Sequence, residues 1–142
     1  MKLELKKIAY NDLNARQKEN YNFHKISAVL ADYGYTSIRL SDDWEGADFI
    51  AQHIDGEQFL KVQLKGRLYF CSKYDGKDLY IAFREGEQWY LYPHDELLKE
   101  VAAISKIEQS ESWKRDGEYH FPSISASLRA VLEKYALNKG AR

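Results

Sequence analysis

The sequence is poor in residues that staple or break a chain. It holds a single cysteine, Cys71, which rules out an intramolecular disulfide and a cysteine-based zinc site. A lone thiol suits a reducing cytoplasm. Two prolines and eight glycines are too few for a linker rich in either residue. No apolar run approaches the ~18 residues that a membrane span needs. The first residues, Met1-Lys2-Leu3-Glu4-Leu5-Lys6-Lys7, alternate charge with apolar side chains and lack the apolar stretch of a signal peptide. A soluble, cytoplasmic protein without a membrane partner is expected. Charge of one sign is missing too: 21 Lys and Arg against 22 Asp and Glu leave a net charge of -1. That balance lacks the overall basicity of a dedicated DNA-binding domain. It does not exclude an enzyme on nucleic acid, which needs only a local basic track.

What is present is core material. Hydrophobic residues make up 44% and aromatics 14% of 142 residues, enough for one packed domain spanning 1–142. Apolar residues Phe23, Ile26, Val29, Leu30 and Tyr33 recur at helical spacing, predicting a helix over Asn11–Asp32 that stops at Gly34. Strands are predicted at Tyr35–Leu40, Ala47–Ile54 and Phe59–Lys65. The first two are separated by a polar turn, Ser41 to Gly46, and the last two by Asp55-Gly56-Glu57-Gln58. Leu79–Arg84 and Gln88–Tyr92 form a second hairpin around Glu85-Gly86-Glu87. Pro93 then sits just inside a helix carrying Leu97, Leu98 and Val101. Ser105 to Pro122 reads as polar and irregular, and a last helix runs over about Ser125–Leu137 with Leu128, Val131, Leu132 and Tyr135 as its stripe. The order predicts an α/β (α+β) fold, with a core of about residues 11–104: a helix and a mixed five-stranded sheet with flanking helices.

Period-two alternation in the third strand sends Leu60, Val62 and Leu64 to one face and Lys61, Gln63 and Lys65 to the other. Asp48, near the start of the preceding strand, then lies opposite the end of this one. An acid, an amide oxygen and an ammonium are expected to point at one spot. Alternation alone also describes an ordinary solvated strand face, and a carboxylate close to a turn also caps backbone N–H groups.

Glu45-Gly46-Ala47-Asp48-Phe49 followed by Lys61-Val62-Gln63-Leu64-Lys65 resembles the motif of the PD-(D/E)XK nucleases in its Gln-x-Lys form. Within that superfamily it looks like group I intron homing endonucleases and, more distantly, archaeal Holliday-junction resolvases. The resemblance extends from Asn11 to Leu98, about two thirds of the chain, through Lys77 to Phe83 and Trp89 to Pro93. It implies a restriction-endonuclease-like core and Mg²⁺- or Mn²⁺-dependent hydrolysis of phosphodiester bonds, in DNA rather than RNA. Asp48, the Gln63 side-chain oxygen and the Leu64 carbonyl would hold the ion, because Mg²⁺ takes oxygen ligands and keeps several waters. Lys65 would orient the attacking water or stabilise the developing charge. Gln63 stands where the family more often has a carboxylate, so another acid is expected to join. Glu19 is the family-like candidate, and Asp43 and Glu45 are nearer in sequence.

Between Lys61 and Lys77 five basic residues (Lys61, Lys65, Arg67, Lys73, Lys77) face one acid, Asp75, with Tyr69, Phe70 and Tyr74 interleaved. Lys61, Arg67 and Lys73 are thus candidates for phosphate contacts, and the rings for stacking, unless they turn into the core. His24, His53, His94 and His120 show no metal-ligand spacing, and His94 reads as a helix-start residue. No Ser-His-Asp set, P-loop or dinucleotide fingerprint is present. A nuclease this small gains from a homodimer or higher homo-oligomer, since two centres are needed to cut both strands. The other reading is a nuclease fold that has lost catalysis and binds nucleic acid or protein, which Gln63 and the near-neutral charge favour.

Overall fold

The computed structural model describes residues 2–137. In chain order the elements are α1 (Ala15–Ala31), β1 (Tyr35–Trp44), β2 (Ala47–His53), β3 (Phe59–Leu64), β4 (Tyr69–Cys71), β5 (Leu79–Glu85), β6 (Gln88–Pro93), α2 (His94–Ile104), α3 (Glu111–Asp116), β7 (Glu118–His120) and α4 (Ala126–Leu132). Five strands form one sheet in the order β1-β2-β3-β5-β6, with β3 and β5 parallel and the other neighbours antiparallel. The fold is therefore α+β with a mixed five-stranded sheet and flanking helices, as the element order predicts. No helix among the described residues is long and apolar enough to cross a membrane.

Both faces of the sheet are covered. On one, Ile26 and Leu30 of α1 pack against Phe49, Ala51, Val62, Ala82 and Trp89. On the other, Ile81, Phe83, Tyr90 and Tyr92 meet Leu97 and Val101 of α2, Leu128 and Leu132 of α4, and the β4 segment. Alternate residues of β5 and β6 thus feed opposite cores. Both strands read as apolar runs because neither face meets water.

Several boundaries differ from those predicted. Helix α1 begins at Ala15 rather than Asn11, because Asn14 and Gln17 close a capping box: Asn14 Oδ1 accepts the Gln17 N–H at 2.8 Å and Gln17 Oε1 accepts the Asn14 N–H at 2.9 Å. Tyr33 lies beyond the helix and is exposed rather than part of the buried stripe. Gly34 does take the left-handed conformation, at φ +86°. Strand β1 runs on to Trp44 through the stretch expected to be a turn. The turn itself is Glu45-Gly46 alone, at φ +52° and +94°, a pair of left-handed residues whose twist suits a two-residue hairpin. A Cβ on Gly46 would lie 2.8 Å from the Tyr74 ring, so this turn has room only for glycine. Pro93 ends β6 and precedes α2 instead of starting it.

The segment expected to be irregular is the largest departure. It holds α3, capped by the Ser110 side chain and stopped by Gly117, and β7. Strand β7 pairs with β4, which lies in the β3–β5 crossover, to make a separate two-stranded sheet. Three-residue strands carry too little alternation to be seen, and Leu68 to Cys71 are all buried. The last helix ends at Leu132 and gives way to a 3₁₀ turn, after which the Leu137 N–H bonds the Trp89 carbonyl at 2.8 Å.

Two buried polar groups fasten β4 to the main sheet. The fully buried Tyr92 hydroxyl accepts the Tyr69 N–H at 3.1 Å and donates to the Tyr69 carbonyl at 2.6 Å. His94 is the helix-start residue expected of it, and it is also buried. Its Nε2 accepts the Cys71 N–H at 3.0 Å, which leaves the proton on Nδ1 to bond Asp95 at 2.8 Å. Replacing Tyr92 by Phe strands both backbone groups of Tyr69 and is expected to cost about 2 kcal/mol, read as a lower urea midpoint. An unchanged midpoint would show that β4 is held by packing alone.

The β2–β3 loop turns on Asp55, whose Oδ1 accepts the N–H groups of Glu57 and Gln58 at 2.8 and 3.0 Å. These bonds hold its carboxyl down to about 2, against 3.8 ordinarily. The unfolded chain therefore takes up the proton first as pH falls, so this stabilisation is complete above about pH 4 and gone near pH 2. The stability gap between the parent and Asp55→Ala is expected to close over that window in acid-melting curves. A gap that stays constant would assign the loop's order to other contacts.

Candidate active site

The start of β2 and the end of β3 meet at one end of the sheet, and a cleft of about 680 Å³ opens there. Helix α1 walls it on one side, the end of β1 on another, and the 3₁₀ turn Ser72–Tyr74 on the third. Asp48, Gln63, Leu64 and Lys65 line it together, as does Glu19 from α1. The antiparallel register that pairs Phe49 with Val62 puts Asp48 level with Gln63.

Asp48 Oδ2 accepts the Leu64 N–H at 2.8 Å. Leu64 thus gives Asp48 its amide, and its carbonyl plays no part in that bond. The other oxygen of Asp48 makes no hydrogen bond among the described residues, and neither does the side-chain amide of Gln63. Asp48 touches solvent at the mouth of the cleft, yet protein crowds it on the inner side. Crowding dominates: its pKa is raised by burial, against the pull of the Leu64 amide and the Lys65 charge, with Asp43 and Glu19 pushing it further up. Both acids act on Asp48, so the two candidates for an added carboxylate lie around it.

Glu45, the third candidate, turns away. It pairs with Lys61 at 3.0 Å, and that bond lowers its pKa. Lys61 also sits 5.3 Å from the Trp44 ring centroid and faces a separate, smaller hollow with Phe59 and Asp78. The structure therefore separates Lys61 from Gln63 and Lys65. Lys73 lies in the cleft wall. Arg67 is exposed outside it, near His120, whose pKa its charge helps to lower after burial and Lys65. None of the four histidines lines the cleft.

Cleft residues that sequence reasoning did not single out are Lys18, Asn22 and Arg39. Tyr74, read there as a ring that either stacks or turns into the core, is buried in the core and also lines the cleft, and it carries a hydroxyl. Burial and the neighbouring Cys71, Asp43 and Asp48 push that hydroxyl up to about 12, so it stays a proton donor at neutral pH. Asn22 donates to the Tyr10 hydroxyl at 2.9 Å, while its Oδ1 is buried without a partner. Arg39 bonds Asn20 on α1 and lies 5.0 Å from the Phe23 ring centroid. Helical spacing on α1 could have flagged Lys18 and Asn22 beside Glu19, whereas Arg39 and Tyr74 depend on tertiary contacts.

Four cations (Lys18, Arg39, Lys65, Lys73) and four acids (Glu19, Asp42, Asp43, Asp48) line the cleft, so their formal charges balance. Among the described residues no three His, Cys, Asp or Glu side chains converge closely enough to cage an ion. The open donors are oxygens, which fits a hard divalent cation that keeps most of its water and takes only one or two protein ligands. It does not fit zinc, which favours nitrogen and sulfur. No family model, curated protein or solved structure matches the chain.

The raised pKa of Asp48 has a testable consequence. The folded chain keeps this proton to higher pH than the unfolded chain, so the ionised carboxylate opposes folding once pH exceeds 3.8. Asp48→Asn retains an oxygen for the Leu64 N–H. It is expected to melt higher than the parent at neutral pH, with the advantage vanishing in acid where the parent's carboxyl is protonated. A variant that melts lower at neutral pH would show that ionised Asp48 is stabilising and that the cleft does not strain it.

Proposed function

We propose that this cleft is the centre of a Mg²⁺- or Mn²⁺-dependent nuclease that hydrolyses phosphodiester bonds in DNA. The observation that carries the reading is the meeting of Asp48, Gln63 and Lys65 in one cleft, with Glu19 and Asp43 bearing on Asp48. The same residues carry the resemblance to the PD-(D/E)XK nucleases. The free oxygen of Asp48 and the Gln63 side-chain oxygen are the donors that would hold the ion. When bound, the ion would supply charge neutralisation at the phosphate and a more acidic water.

This chain's own groups do the rest. Lys65 has no ion pair among the described residues, so its ammonium is open to the developing charge on a phosphate oxygen. The Tyr74 hydroxyl stays protonated and can donate to the same anion. Lys73, Lys18 and Arg39 line the walls along which a phosphate backbone would lie. Cutting both strands would call on a second copy of the chain.

A second reading has its own support. Gln63 is neutral and no three acids cage an ion, which suits a nuclease fold that binds nucleic acid without cutting it. Plasmid nicking with Mn²⁺ separates the two. The parent is expected to nick, and folded Asp48→Ala and Lys65→Ala variants to lose about a hundredfold or more in rate. No nicking, together with salt-sensitive DNA binding, would establish the second reading. Nicking that survives both substitutions would remove the proposed mechanism.

A further inference from the structure

The Lys65 ammonium does not rest on Asp48, the nearest acid along its own hairpin. It lies 4.2 Å from the centroid of the Tyr69 ring, the shortest of the cation–ring contacts in the described chain. We propose that Tyr69 is the positioning residue of the cleft: its ring face holds Lys65 clear of Asp48, so that one oxygen of Asp48 stays open to a cation and the ammonium stays open to an anion. This deepens the nuclease reading and rests on it for its catalytic meaning.

The ring is built to stay in place. Tyr69 is only 3% exposed. Its backbone N–H and C=O are both taken by the Tyr92 hydroxyl, at 3.1 and 2.6 Å. Its own hydroxyl donates to Glu118 at 3.1 Å, across the pairing of β4 with β7. The His120 ring packs against it with centroids 4.4 Å apart, and Tyr74 meets it edge-on at 6.1 Å. Tyr69 is thus fixed from its backbone, its hydroxyl and its ring. A cation over an aromatic face is attracted by the negative face of the ring quadrupole, and more strongly where water is scarce. Lys65 is half-buried, so the contact is partly desolvated.

This arrangement gives the small β4–β7 sheet a purpose that packing does not require. Without the ring, Lys65 would be free to swing to Asp48. The two charges would then neutralise each other, closing the oxygen that a cation needs and the ammonium that a phosphate needs. Tyr69 touches neither substrate nor ion in this account; it acts through Lys65.

The test uses the full chain, with Tyr69→Leu, which removes the ring, and Tyr69→Phe, which keeps the ring and drops only the hydroxyl. The ¹H and ¹³C signals of the Lys65 ε-methylene report the contact directly. They are expected upfield of the free-lysine position in the parent and in Tyr69→Phe, and at the free position in Tyr69→Leu. In Mn²⁺-dependent nicking, Tyr69→Leu is expected to lose about tenfold or more in kcat with KM little changed, while Tyr69→Phe stays near the parent. A Lys65 signal at the free position in the parent, or one that Tyr69→Leu leaves upfield, overturns the proposal even in an active enzyme. Loss of the upfield shift in Tyr69→Phe overturns it as well, because this variant gives up only the Glu118 bond and keeps the backbone bonds to Tyr92 and the packing against His120 and Tyr74. A ring-dependent shift in a protein that neither binds Mn²⁺ nor nicks DNA supports the Lys65–Tyr69 assignment and overturns the nuclease reading instead.

Discussion

The hydrogen bond from the Leu64 amide to Asp48 is the joint on which the cleft depends. It ties the first residues of β2 to the last of β3 where the ladder between them has run out. An amide at a strand end would otherwise face water. Here it orients a carboxylate, leaves one oxygen of that carboxylate uncommitted and keeps the Gln63 amide beside it. Without the bond, Asp48 would be one exposed acid among several near a turn.

The surrounding charges make sense against that joint. Burial and two nearby acids oppose ionisation of Asp48, while the amide and Lys65 favour it, and the opposing side wins. A carboxylate held in a place that disfavours its charge is a poor device for stability, since partly buried charges rarely repay their desolvation. Perturbed acids of this kind concentrate at functional clefts. A divalent cation would reverse the balance at a stroke, because its field would dominate every neighbour. The same logic explains the withdrawal of Glu45 and Lys61 into a pair of their own. Their charges cancel at the surface and leave Glu19, Asp42, Asp43 and Asp48 as the acids of the cleft.

How far the sequence carried these conclusions depends on the length of the pattern. Strands β2, β3, β5 and β6 are long enough for alternation or a continuous apolar run to declare them; β2 and β3 hold Asp48 and Gln63, and Lys65 directly follows β3. The juxtaposition of those three follows from period two and one hairpin. Strands β4 and β7 are three residues each, and their pairing joins segments that begin at Tyr69 and Glu118. No local pattern announces such a contact, and so the role of Tyr69 was invisible. Acidic Asp42 and Asp43 lie within β1 against their usual preference, because the two left-handed residues Glu45 and Gly46 complete the turn without them. For Lys61, alternation gave the correct face. The pairing with Glu45, a residue of the β1–β2 turn, decided where its ammonium went.

The central claim is that the open oxygen of Asp48 and the Gln63 amide form a seat for a hard cation. Anomalous diffraction from crystals soaked in Mn²⁺ examines that seat without relying on a substrate. A single peak about 2.2 Å from an Asp48 oxygen, with Gln63 as its neighbour and waters completing the shell, is the expected result. An empty cleft at saturating Mn²⁺, or a peak bound to surface acids away from Asp48, would contradict it.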